Sequence, residues 1–91
     1  MLEWPHPKDP GSSRGYAVLW GDFLETNEVI ASSSWEIPTG IVTTDDGFQD
    51  KQTGIQLAGG VDGESYDCEN TIVTSDNNTI VRLVRLKVKI K

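Results

Sequence analysis

The chain has 91 residues, with fourteen acidic and eight basic side chains, a net charge of −6 and one cysteine. That length makes one domain, and the cysteine count leaves no internal disulfide. The acidic balance argues against a nucleic-acid binder, which would carry a net basic footprint. No apolar run reaches the roughly 18–20 residues of a membrane span, and the N-terminus lacks a signal peptide's basic and apolar regions.

Residues 1–15 read as an extended, proline-rich arm. Pro5, Pro7 and Pro10 fix their own φ and push the residues before them toward extended conformations. Trp4 is an aromatic anchor on this stiff segment, docking either on its own domain or on a neighbouring subunit. The first strand is expected over residues 16–20, apolar on both faces. Gly21-Asp22 bends the chain, Phe23 and Leu24 follow, and residues 25–28 turn. A second strand over residues 29–37 puts Val29, Ala31, Ser33, Trp35 and Ile37 on one side, with Ile30, Ser32, Ser34 and Glu36 on the other.

Pro38-Thr39-Gly40 ends that strand. A short third strand is expected over residues 41–44, then an acidic loop with Asp45, Asp46, Gly47, Phe48 and Asp50. A fourth, over residues 53–58, has Ile55 and Leu57 inward and Gln56 outward. After the glycine-rich turn Gly59-Gly60-Val61-Asp62-Gly63, the last third reads as one long β-hairpin turning over residues 75–79, where Asn and Asp tolerate left-handed backbone. Tyr66, Cys68, Asn70, Ile72 and Thr74 share a face of its first strand. Its second strand puts Ile80, Val84, Leu86, Val88 and Ile90 on one side and Arg85, Lys87, Lys89 and Lys91 on the other. A period of two held this long means half-buried antiparallel strands.

The predicted fold is all-β: an Ig-like or fibronectin III-like sandwich of six to seven antiparallel strands over residues 16–91, with a small barrel as the competing architecture. Its core is expected to contain Trp35, Tyr66, Cys68, Ile72, Val84, Leu86 and Val88. Tyr66-Asp67-Cys68, after a glycine turn and at a strand start, is where such sandwiches place a tyrosine corner.

Charge is split along the chain: the balance through Val81 is 3 − 14 = −11, and the last ten residues add +5. The basic row reads as a solvated, edge-protecting strand face, or as a docking face for an acidic partner. Asp45, Asp46 and Asp50, helped by Asp62, could offer oxygen ligands to Ca²⁺, but they lack the spacing and closing glutamate of an EF-hand loop. No metal site or cofactor is expected. With His6 and Cys68 the only residues of their kinds, and no phosphate loop, several catalytic schemes lack their parts, so the chain is not expected to be an enzyme. Asn77-Asn78-Thr79 matches a glycosylation acceptor, relevant only in a secretory pathway.

One ordered series of motifs runs through nearly the whole chain. It begins Trp4-Pro5-x-Pro7-Lys8-Asp9-Pro10, then Tyr16 and Trp20, then Ile30-x-Ser32-Ser33-x-Trp35-x-Ile37-Pro38-x-Gly40. It continues Leu57-x-Gly59-Gly60-x-x-Gly63-x-x-Tyr66 and Asn70-x-Ile72-x-Thr74-Ser75. The series resembles the small fibre–tail adaptor proteins of tailed bacteriophages and prophages. It departs from their pattern where Gly11-Ser12-Ser13-Arg14-Gly15 stands in place of an acidic stretch, and where His6 sits among the arm's prolines. The resemblance implies a structural part of the virion tail, made in the host cytoplasm, that joins a fibre or tailspike to the tail tube or baseplate. It implies partners among other tail and fibre proteins and a homo-oligomeric ring about the tail axis, with no nucleic acid and no membrane. Trp4, Pro5, Pro7, Lys8, Asp9, Pro10, Tyr16 and Trp20 would then make the contacts. The alternative is a ligand-recognition module for adhesion or carbohydrate binding, with Trp4 or Trp20 as a sugar-stacking platform and a Ca²⁺ site at residues 45–50.

Overall fold

In a computed structural model describing residues 2–90, the alternating segments become strands throughout. The order is β1 (Leu2–Glu3), β2 (Ser13–Leu19), a 3₁₀ turn (Gly21–Phe23), β3 (Ile30–Glu36), β4 (Ile41–Gln49), β5 (Gln52–Gly59), β6 (Ser65–Thr74) and β7 (Thr79–Lys87). Met1 of the expected arm and Lys91 of the expected basic face lie outside the described residues.

Two sheets form, ordered β1-β7-β6-β3 and β2-β5-β4. All neighbours are antiparallel except β1 and β7, which run parallel with Leu2 beside Val84 and Glu3 beside Arg85. Lettered A to G, the strands divide into B–E–D and C–F–G. An immunoglobulin constant-type sandwich divides them the same way, except that here the first strand lies on G rather than B. The sheets bury Ile55 and Leu57 of β5 against Ile72, Val84 and Leu86 of the closing hairpin, with Cys68 fully enclosed. Val88, just past β7, is buried as well.

Tyr66 sits at the start of β6, and its hydroxyl accepts the Val61 N–H at 3.0 Å, five residues upstream. Gly40 makes room for its ring: at φ +113° a Cβ on Gly40 would lie 2.8 Å from Tyr66 Cε1. The β6–β7 turn places Asn77 at φ 63°, the left-handed region that Asn tolerates. Glu28 locks this turn to the one preceding β3. Its buried carboxylate accepts the Thr74 hydroxyl, the Glu25 N–H at 3.0 Å and the Asn78 amide at 2.9 Å. These bonds, Thr74's first, hold its pKa below the ordinary 4.5.

Four expectations are corrected. The side chains of β3 do not keep one parity, because the pairing shifts between Ile30 and Ser32. The extra residue turns Ile30 inward and leaves Ala31 exposed, as a one-residue bulge must. The acidic loop is the second half of β4: Asp45, Asp46 and Phe48 pair with Gln56, Ile55 and Thr53, and the chain turns only at Asp50-Lys51. Ladder bonds to β5 override the low strand propensity of Asp, and the strand's exposure lets both carboxylates stay in water. Third, β2 begins at Ser13, inside the expected arm, because its partner β5 extends to Gly59. Fourth, Ile90 is exposed, lying beyond the last strand pairing on β7.

Candidate functional site

The arm is strapped along β7. Trp4 donates its backbone N–H to Arg85 O at 3.1 Å. Lys8 donates to Lys87 O and accepts from Lys89 N, both at 2.9 Å. Between these bonds stand Pro5 and Pro7, which carry no N–H for a ladder. The Trp4 indole turns inward, 8% exposed, and donates Nε1–H to Ala17 O on β2 at 2.9 Å. Its ring lies 4.7 Å from that of Tyr16 and 6.1 Å from that of Trp35. One residue of the arm therefore joins the edge of one sheet to the other.

Lys8 is wholly enclosed. Its ammonium donates to Gly59 O at 2.6 Å and Asp9 O at 2.8 Å. Burial pulls its pKa below the usual 10.5, opposed by the Asp9 carboxylate. Asp9 then shapes the turn into β2, its side chain accepting Gly11 N at 2.8 Å and its carbonyl accepting Ser12 N at 3.0 Å.

A buried polar clasp links the sheets near the end of β2. Trp20, 0% exposed, donates Nε1–H to Thr53 Oγ1 at 3.0 Å and to Asn70 Oδ1 at 3.2 Å. Thr53 Oγ1 donates to Asn70 Oδ1 at 2.6 Å, and Asn70 Nδ2 donates to Ser33 Oγ and Ser34 O at 3.0 and 2.9 Å. Thr53 belongs to one sheet and Asn70 to the other, so directional bonds fix how the sheets sit on each other.

Of the residues taken as partner contacts, Trp4, Lys8 and Trp20 lie inside the chain's own fold. Pro5 and Pro7 are exposed, and Asp9, Pro10 and Tyr16 are half-buried. Among those taken as core, Tyr66, Cys68, Ile72, Val84, Leu86 and Val88 are buried, and Trp35 is half-buried. The residues missed are Leu2, Phe23, Val81 and Leu83, large apolar side chains on the surface. They line a shallow groove where β1 stops beside β7, and the Arg82 guanidinium sits 4.1 Å above the Phe23 ring. A signal existed: Val81 and Leu83 are apolar on the face of the last strand that is otherwise basic.

The acidic residues do not converge. Asp45 and Asp46, adjacent on a strand, point to opposite faces, and Asp62 accepts Ile90 N at 2.8 Å. Among the described residues no three His, Cys, Asp or Glu side chains are placed to hold a metal ion. What this geometry offers is an ordered strap and an apolar flank for another protein.

Residues 8–87 match the model of one protein family, described as podophage GP4 fiber-tail adaptor protein gp77. The chain belongs to this fiber-tail adaptor family. No curated protein matches it. A fiber-tail adaptor has a structural role in the phage tail, works in the virion tail, and interacts with other tail and fibre proteins. The matched segment opens at the buried Lys8 and closes at the last residue of β7.

Proposed function

We propose that this adaptor couples a tail fibre or tailspike to the tail tube or baseplate through protein–protein contacts alone, with no catalytic step. The observation that carries the reading is the family match over residues 8–87. The arm adds a physical means: pinned at Trp4 and Lys8, it presents Pro5 and Pro7 outward on a fixed frame, while Leu2, the first residue of β1, shares a separate exposed groove with Phe23. Prolines held extended lose little further entropy on docking. Pro5, Pro7, Asp9, Pro10 and Tyr16 are the contact residues in this reading, and Trp4, Lys8 and Trp20 hold them in place. The sugar-stacking alternative lacks its platform, since the Trp4 and Trp20 rings face inward.

The test is a phage in which this gene is silenced. Particles should carry tails without fibres in electron micrographs, with fibres restored when the chain is supplied in trans. Fibres seated normally on particles that lack the chain would overturn the reading.

A further inference from the structure

We propose that copies of this chain join head to tail, the open edge of β4 in one copy lying along the open part of β7 in the next. This deepens the adaptor reading by naming a second copy as one partner, and it rests on that reading only for its use in the tail.

Both edges are visible in the backbone. Arg85 and Lys87 accept hydrogen bonds from the arm, so by the two-residue period Val81 and Leu83 turn their polar backbone groups to the same side. β1 pairs only with Val84 and Arg85, and among the described residues no strand lies beside residues 79–83 on that side. β4 is the last strand of its sheet, and every residue after Ile41 is exposed. Its regular pairing resumes after the shift at Asp45 and runs to Gln49, a stretch as long as the open run of β7.

The two edges face opposite ways. β1 lies against β2 around a recess lined by Trp4, Val18 and Leu19, whereas β3 and β4 meet at the other flank. A contact between unlike edges on opposite flanks is heterologous, and it repeats from copy to copy.

Chemistry favours the unlike pairing. β4 carries Asp45 and Asp46 with no basic residue, and it exposes Val42 and Phe48. The β7 edge offers Arg82, with no carboxylate ion-paired to it among the described residues, beside exposed Val81 and Leu83. Two β4 edges would set aspartates against each other, and two β7 edges would set arginines together. Charges that guard each edge against its own kind therefore select the opposite edge.

Sedimentation velocity on the full chain tests this. The wild type should associate as concentration rises, less so when salt increases from about 50 to 500 mM. Arg82→Glu alone, and Asp45→Lys with Asp46→Lys alone, should each weaken association about tenfold or more. Equal mixing of the two variants should restore it, because each supplies the edge the other needs. Asp45 and Asp46 are exposed and Arg82 is half-buried against the Phe23 ring, so circular dichroism and melting temperature first establish that the variants fold. Arg82→Gln separates lost charge from lost packing: it should weaken association, and the Asp45→Lys, Asp46→Lys partner should restore it less fully than it restores Arg82→Glu. A wild type that stays monomeric at about 1 mM in low salt, variants that associate like the wild type, or a mixture that does not recover would each overturn the proposal. The fibre-attachment test is separate: particles that hold fibres while the chain fails to self-associate would sink the pairing and leave the adaptor reading intact.

Discussion

Replacing Asn70 with Ala should be among the most damaging single changes in this protein. Asn70 is 0% exposed and makes four hydrogen bonds, two accepted and two donated. Truncation leaves the Thr53 hydroxyl without its 2.6 Å acceptor in a site closed to water, while Trp20 Nε1 keeps its bond to Thr53 Oγ1. An orphaned buried donor costs about 1–3 kcal/mol, and the void adds roughly 1 kcal/mol. Ser33 is half-buried and Ser34 exposed, so water replaces their lost bonds cheaply. The sum is about 2–4 kcal/mol, against a total stability of about 5–14 kcal/mol for a 91-residue domain. Tm should fall by on the order of 10–25 °C. Urea denaturation followed by tryptophan fluorescence measures the loss. Asn70→Ala on a Thr53→Val background should still cost about as much, because the Trp20 Nε1–H, whose two acceptors are Thr53 Oγ1 and Asn70 Oδ1, then becomes the orphaned donor. If Asn70→Ala is neutral in both backgrounds, the clasp does not hold the sheets.

Trp4→Ala should destabilise the fold by about 3–5 kcal/mol, since the ring joins Tyr16, Trp35 and the Ala17 carbonyl; calorimetry reads the shift, and an unchanged Tm would show that the strap is dispensable. Gly40→Ala should cost about 1–3 kcal/mol, because it strains a φ of +113° and drives a Cβ into Tyr66; its effect should shrink in a Tyr66→Ala background. The Cys68 thiol, enclosed and pushed up to about 11 by burial and then by Asp67, should resist iodoacetamide at pH 8 until urea unfolds the chain, and rapid labelling of the native protein would refute its enclosure. Glu28 has a folded pKa lowered below its unfolded 4.5, so its contribution is full above pH 4.5 and is lost as pH falls through the lower folded value. Glu28→Gln should therefore be less stable than wild type near pH 7, with the gap closing in acid; a gap constant from pH 7 to pH 3 would remove the linkage.

Backbone periodicity carried most of the fold. The closing hairpin reads directly from the alternation of Tyr66, Cys68 and Ile72 with polar neighbours, and the β6–β7 turn from Asn77. What periodicity could not carry was a break in its own parity. The extra residue between Ile30 and Ser32 adds no unusual composition, so the faces of β3 came out reversed at its start. Asp45 and Asp46 read as a loop because Asp disfavours strands, yet a sheet edge with both faces in water tolerates them. The interior positions of Trp4, Lys8 and Trp20 were hidden for a different reason. Their partners are Ala17, Gly59 and Asn70, distant in sequence, and no local pattern marks a lysine that donates to carbonyls rather than to water.

The interior residues Trp4, Lys8 and Asn70 bear on how the proposed coupler holds its geometry. Apolar contact between sheets is non-directional and would by itself allow small slides of one sheet over the other. Trp4 reaching Ala17, Lys8 reaching Gly59 and Asn70 reaching Thr53 are directional bonds from the β1-β7-β6-β3 side to β2 and β5. Each breaks if the sheets slip by more than the tolerance of a hydrogen bond, a few tenths of an ångström. The β4 edge belongs to one sheet and the β7 edge to the other, so the same bonds set the angle between the two flanks. A repeated head-to-tail contact closes into a ring only when that angle is constant from copy to copy. In the proposed head-to-tail assembly the buried polar groups would thus set its geometry, and a chain weakened at Asn70 should lose uniform assembly under conditions where it is still folded.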